Sequence, residues 1–182
     1  VVARVNPLRF IEKALAAQIF AFSTSSSAAT VPLSLKTAED KLGISLPVAK
    51  FILPLCATIN MNATALYLIS CTIFVAQLAG VDLNASQYIL LLTFATLSAV
   101  GAAGIPGVSI IMLSVIFEML NLPSGALVLI LGVDRLLDMS RTVLNVSGDL
   151  VISLLVDKAN GTFNQELYDT PPSELAHKSH LD

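Results

Sequence analysis

Asp134-Arg135-Leu136-Leu137-Asp138-Met139-Ser140-Arg141-Thr142-Val143-Leu144-Asn145-Val146-Ser147-Gly148-Asp149 is the stretch on which the reading of this chain turns. Asp134, Asp138, Arg141, Asn145 and Asp149 follow one another at spacings of four, three, four and four. At ~3.6 residues per turn those spacings confine all five to an arc of roughly 60–80° on a helix. The spacing therefore predicts one polar face. The flanking Leu136, Leu137, Val143, Leu144, Val146, Leu150 and Val151 predict that the opposite face meets lipid or neighbouring helices.

The solvent of that helix follows from the composition. The 182 residues are 55% apolar and only 13% charged, with a mean hydropathy of +0.80, whereas soluble domains carry roughly 25% charged residues. Between Phe51 and Asp134 there is no Lys or Arg, and only Asp82 and Glu118 are charged. Water could not solvate such a stretch, and lipid can. An ionised side chain at the bilayer centre costs about 2.5–3.5 kcal/mol on insertion scales, so intramembrane charge reads first as function. The plainer alternative is that Arg141 only neutralises Asp134 and Asp138 within the helix. A net charge of −3 without a basic stripe argues against a nucleic-acid partner. Cys56 and Cys71 lie in apolar runs and read as small buried hydrophobes rather than a disulfide. The chain opens on Val1-Val2-Ala3-Arg4 with no cleavable signal in view, and is read as a fragment.

Working outward, the apolar segments are of two lengths. A crossing helix needs about 20 apolar residues, and runs of ~10–14 re-enter or stay at an interface. Residues 14–22 and 28–35 are short runs on either side of Ser23-Thr24-Ser25-Ser26-Ser27, which predicts a helical hairpin with a serine-rich tip. Residues 46–80 form a long apolar stretch interrupted by Thr58-Ile59-Asn60-Met61-Asn62-Ala63-Thr64, a broken helix whose freed backbone lines a cavity. Residues 88–100 and 108–120 flank Gly101-Ala102-Ala103-Gly104-Ile105-Pro106-Gly107, where three glycines and a proline predict a second hairpin tip. The polar-striped helix is expected over residues 124–156 and a polar tail over 158–182.

The fold class expected is thus an all-α membrane protein. It is divided into a first re-entrant hairpin (1–45), a broken transmembrane helix (46–81), a second re-entrant hairpin (82–122), one long amphipathic transmembrane helix (123–157) and the tail (158–182). Paired interrupted segments point to a transporter's midplane binding site. Arg4, Arg9, Lys13, Lys36, Lys41 and Lys50 cluster around the first hairpin's base, which places those ends, and the tail, on the cytoplasmic side with Asp82 outside.

The stripe has matching chemistry. The planar guanidinium of Arg141 can donate two parallel hydrogen bonds to a carboxylate. Asp138 can receive an ammonium, so one face offers partners for a zwitterion or a dicarboxylate. Asp149 and Asn145 supply hard oxygen donors for a small cation.

Taken in order, Ser25-Ser26-Ser27 with Thr30 and Pro32, the segment from Ala57 through Tyr67, the tip from Gly101 to Gly107, and Asp138-Met139-Ser140-Arg141-Thr142 with Asn145 to Asp149 resemble the dicarboxylate/amino acid:cation symporters, which include glutamate transporters. The resemblance covers nearly Pro7 to Gly161, the C-terminal transport part of such proteins. It implies that Arg141 binds an acidic substrate side chain, Asp138 its amino group, and Asn145 and Thr142 its polar backbone, with Thr64 completing the pocket. Ser26 and Ser27 would close it as an inner gate and Ile105, Pro106 and Gly107 as an outer one. It further implies one sodium among Asp149, Asn145 and the carbonyls of Cys56 and Asn60, and a second on carbonyls of Thr58, Ala99, Val100 and Ala102.

Two departures fall on functional positions. Asn62-Ala63 stands where the family usually has Asp-Gly, which implies fewer coupled cations or protons instead. Ser25 and Met139 stand where relatives carry a second Arg. The function expected is secondary active symport of an acidic amino acid or dicarboxylate with sodium or proton influx, by alternating access. The full-length protein would sit in the plasma (inner) membrane, in contact with lipid, as a homotrimer built through an upstream scaffold. Ala28-Ala29 and Phe22-Ser23 also resemble bacterial cystine carriers, so a cystine or neutral amino acid cargo is the alternative. An intramembrane aspartyl hydrolase using Asp134 and Asp138 is the rival from another class. It is disfavoured because a same-helix pair beside Arg141 would stay ionised. A passive channel is disfavoured by the presence of two gate-like tips. His177 and His180 read as solvated tail residues, and Asn84-Ala85-Ser86 as a chance match to a glycosylation triplet.

Overall fold

The computed structural model describes residues 5–101, 104–172 and 174, and every regular element among them is helical. α1 (Pro7–Thr24) starts where the Asn6 side chain accepts the Leu8 N–H at 3.0 Å and Pro7 presets the first turn. It stops at Ser25, which adopts a left-handed φ of 52°. Ser26 then turns extended, and its hydroxyl accepts the Ala29 N–H at 3.2 Å to start α2 (Ser27–Asp40). The serine tract breaks the helix because short polar side chains satisfy backbone groups outside helical geometry. α1 and α2 then pack along each other.

α3 (Leu46–Ile59) and α4 (Asn62–Leu78) together form the one stretch, Leu46–Leu78, that is long and apolar enough among the described residues to cross a membrane. The interruption expected there is present: Asn60 and Met61 leave helical geometry, with φ of −101° and −90°. α5 (Ala85–Val100) begins with a capping box between Asn84 and Gln87, so the Asn84 side-chain oxygen serves the helix start. α6 (Val108–Met119) follows the tip and is entered from Gly107 at φ 82°. At 16 and 12 residues, α5 and α6 span about 24 and 18 Å, short of the ~30 Å hydrocarbon core.

A 3-10 turn (Ser124–Ala126) leads into α7 (Leu127–Asn160), 34 residues that end at Gly161 with a left-handed φ of 75°. α7 thus runs past the expected end at Val156. α8 (Gln165–Asp169) lies within the segment read as tail, whereas His177 and His180 fall outside the described residues.

Two apolar cores stack along α7. The first joins Ala14, Ala17 and Ala21 of α1 to Leu53 of α3, Leu150 and Leu154 of α7, and Tyr168 of α8. Small residues three and four apart let α1 approach its neighbours closely. The second gathers Leu68 and Val75 of α4, Leu91 of α5, Leu113 and Phe117 of α6, and Ile130 of α7. α7 packs on α1, α3 and α4. Val146 and Leu150 are consequently buried, whereas Leu136 and Leu144 stay exposed. The outer surface is apolar: Leu66, Ile89, Leu97, Ile111, Val128 and Leu136 are 63% to 70% exposed, as suits a chain whose solvent is lipid.

Candidate functional site

The polar face of α7 turns inward. Asp134, Asp138, Arg141, Asn145 and Asp149 are each 8% exposed or less, as the spacing requires of one helix face. α4 and the break before it supply most of their partners. Because Asn60, Thr64 and Tyr67 recur at four and three residues, the broken segment carries a facing stripe of its own.

At one end Tyr67 donates its hydroxyl to Asp134 Oδ1 at 2.6 Å, and its ring lies under Arg141, 4.2 Å from ring centre to Cζ. Arg141 Nη2 donates to Asp138 Oδ1, an i,i+3 ion pair buried on both sides. The chain Asp134–Tyr67–Arg141–Asp138 thus holds the guanidinium between an aromatic face and a carboxylate. Tyr67 is a site residue the stripe on α7 alone does not reveal. Its three-residue spacing from Thr64 is the signal that could have found it.

At the other end the helix break is tied to α7. Asn145 Oδ1 accepts the Ala63 N–H at 3.0 Å, and its amide donates to Thr64 Oγ1 at 3.3 Å and Met61 Sδ at 3.2 Å. Asn60 Nδ2 donates to Asp149 Oδ1 at 2.9 Å, and Asn60 Oδ1 accepts from Asn62 Nδ2 at 2.7 Å. The Asn60 and Asn145 side chains are therefore satisfied. Asp149 and Asn60 thus stand side by side at the break, a carboxylate and an amide joined by one hydrogen bond. Cys56 is buried close by and its carbonyl accepts the Asn60 N–H at 2.8 Å.

The two tips meet. Ser26 Oγ donates to the Gly104 carbonyl at 2.7 Å and the Ala28 N–H reaches the same oxygen at 3.4 Å. A Cβ at Gly104 would lie 3.1 Å from the Ala28 nitrogen and from the Ala57 oxygen, so glycine suits this approach. Beneath the contact is a cavity of about 20 Å³ lined by Ser25, Ser27, Met61, Thr64, Gly104, Ile105, Val108, Ser109, Asp138, Arg141, Thr142 and Asn145. That is room for about one water.

Of the residues expected to bind substrate, Arg141, Asp138, Thr142, Asn145, Thr64, Ser27 and Ile105 line this cavity. Ser26 contributes the contact between tips, and Gly107 stands outside the lining at the start of α6. Ser25, Met61 and Ser109 join the lining without having been singled out for that role. Among the expected carbonyl donors, Thr58 and Val100 are exposed, Ala99 is buried beside Met61, and Ala102 lies outside the described residues. Among the described residues two buried side-chain polar atoms have no hydrogen-bond partner, Arg141 Nη1 and Ser25 Oγ, and both residues line the cavity. A buried unmet donor costs about 1–3 kcal/mol, more when charged, so both atoms favour a ligand that carries acceptors.

The family described as the sodium:dicarboxylate symporter family matches residues 1–159. The chain is 47% identical over 146 residues to neutral amino acid transporter B(0) of Mus musculus, covering 80% of this chain and 26% of that protein. To neutral amino acid transporter A of Homo sapiens it is 41% identical over 171 residues, 92% of this chain and 32% of the relative. To a putative sodium-dependent excitatory amino acid transporter, glt-4, of Caenorhabditis elegans it is 40% identical over 158 residues, with coverages of 87% and 32%. The chain thus spans about a quarter to a third of the length of these curated relatives. The chain belongs to the sodium:dicarboxylate symporter family, whose members are transporters and not enzymes.

Proposed function

We propose that the full-length protein carries an acidic amino acid or a dicarboxylate inward, driven by a sodium or proton gradient. The observation that carries this reading is Arg141: buried, paired with Asp138 through one nitrogen, and left with Nη1 unpartnered at the cavity wall. A substrate carboxylate would give that nitrogen an acceptor in a low-dielectric site, where a charge-assisted bond is roughly twice as strong as a neutral one. Asp138 is then the counter-charge for an ammonium, with Thr142, Asn145 and Thr64 as polar contacts. Because the cavity is about 20 Å³, an amino acid could enter only if the tips part.

In this reading α1–α2 and α5–α6 are re-entrant hairpins that close the site from inside and outside, and alternating access moves them against an upstream scaffold that also forms a homotrimer. Asp149, Asn145 and carbonyls of Cys56 and Asn60 take one sodium, and carbonyls of Thr58, Ala99, Val100 and Ala102 a second. Asn62 donates its amide to Asn60 Oδ1. Being neutral, Asn62 offers a further cation no carboxylate, which supports a reduced cation count. The protein sits in the plasma membrane, surrounded by lipid, with its tail in the cytoplasm.

A second reading, a neutral amino acid as cargo, is favoured by relatives at 41% and 47% identity that are named neutral amino acid transporters. The same Arg141–Asp138 pair could hold a zwitterion's own carboxylate and ammonium. The test is uptake by the full-length protein in proteoliposomes of labelled glutamate, aspartate, succinate, cystine, alanine and serine under separate sodium and proton gradients. Acidic cargo should enter under one of the gradients, and Arg141→Cys should abolish that uptake while leaving neutral analogues less affected. Undiminished glutamate or aspartate uptake by Arg141→Cys would remove the pocket assignment. Uptake of alanine and serine alone by the unaltered protein establishes the second reading instead.

A further inference from the structure

A buried cation lies far from the cavity. Lys13 of α1 is 1% exposed, and its ammonium donates to the carbonyls of Leu167 and Tyr168 at 2.7 and 2.8 Å. Those carbonyls are at the C-terminal end of α8, where the helix presents its unpaired acceptors and negative dipole end. The cation of one helix therefore caps another that is over 150 residues later in the chain.

Three further ties secure the same segment. Tyr168 is fully buried in the first core, and its hydroxyl donates to the Asn6 carbonyl at 2.8 Å, at the very start of α1. Arg9 pairs with Asp169 at 2.8 Å on the surface above. The Asn164 N–H donates to the Gly43 carbonyl at 2.8 Å in the turn between α2 and α3. Gly43 has a φ of 70°, and a Cβ there would lie 2.3 Å from the Asn164 oxygen. That approach is open only to glycine.

We infer that residues 162–169 form a clasp, latched by Lys13, that holds the base of α1 and the α2–α3 turn against the end of α7 and so limits how far the Ser25–Ser27 tip can move. The lever is geometric. Lys13 lies on α1 and Ser25 caps its end, twelve residues or about 18 Å away, so freedom at the base of α1 becomes displacement at its tip. Any partner or modification that draws this segment away therefore acts on the cavity without touching it. This device stands whatever the cargo is.

The experiment is amide hydrogen exchange, read by mass spectrometry, on the full-length protein in nanodiscs, comparing peptides that cover α1 and its tip with those that cover α5 and α6. Lys13→Met removes both carbonyl bonds and keeps the stem's apolar bulk. It should speed exchange in α1 and at Ser25–Ala28 about tenfold or more and leave α5 and α6 unchanged. Asp169→Asn, a surface change, should produce a smaller rise at the same place, and it decides the matter if Lys13→Met does not assemble. Faster exchange confined to residues 162–169, or an equal rise in all helices, would overturn the clasp. So would an unchanged α1 in Asp169→Asn when Lys13→Met cannot be made.

Discussion

α1–α2 and α5–α6 both end at the Ser26–Gly104 contact, yet they are fixed to the rest of the molecule by different forces. The first pair is bound by polar ties that cross between elements: Lys13 to α8, Gln18 Nε2 to Ser147 Oγ at 3.0 Å, and Arg9 to Asp169. Below it, Asp157 at the end of α7 accepts from the backbone N–H and hydroxyl of Ser45 at the start of α3. In the second pair, among the described residues, the side-chain hydrogen bonds of Thr96 and Ser114 end on carbonyls of their own helices. α5 and α6 touch α4 more than each other and are held by apolar packing. Packing without directional bonds permits sliding, whereas a buried bonded charge permits one arrangement. The asymmetry predicts that the second pair is displaced more easily than the first.

The sharpest way to break that comparison is Asp157→Ala. Asp157 is 0% exposed, and the change leaves the Ser45 N–H without its acceptor. A loss of about 3 kcal/mol or more is expected, read as a lower thermal midpoint in detergent. Ser114→Ala in the second pair should stay within about 0.5 kcal/mol. Equal shifts in the two variants would mean that the α3–α7 tie beneath the first pair adds no more stability than the local bond in the second.

A smaller effect is expected at the joint itself. Ser26 both caps α2 through Ala29 and bonds Gly104. Ser26→Ala should cost about 1–2 kcal/mol, and it should broaden the distance distribution between spin labels placed at Ala28 and Ile105. A distribution as narrow as that of the unaltered protein would show that the tips are joined by something other than this hydroxyl.

The part of this architecture legible in the sequence is the part governed by local spacing. The α7 stripe was readable because five polar residues at three- and four-residue steps can only share a face. The interruptions at Ser25–Ser26, Asn60–Met61 and Gly104–Gly107 were readable because serine, asparagine, glycine and proline disrupt helices locally. Partners distant in sequence were not. Lys13 reads as one more positive charge near a cytoplasmic base, and nothing in its own neighbourhood announces carbonyls at Leu167 and Tyr168. Likewise Tyr168 sits in a polar stretch and still fills the first core. Periodicity reports which face a residue is on, and it is silent about which element arrives there.

The mildest prediction tests the clasp through a single exposed carboxyl. Asp169 is held below the ordinary carboxylate range, first by the amide of Gln165 at 2.8 Å and then by the charges of Arg9 and Lys13. A depressed value in the folded state means the unfolded tail binds protons more readily, so this contribution is complete above the ordinary carboxylate value of about 3.9 and is lost as the pH falls through the lower folded one. Between pH 5 and 8 exchange of residues 162–169, corrected for its intrinsic rate, should be flat. It should rise severalfold below about pH 4, with α5 and α6 as the internal reference. Because the pair is exposed, salt should shrink the step, and Asp169→Asn should remove it. A step of the same size in that variant would assign it to another group and leave Lys13 as the sole latch.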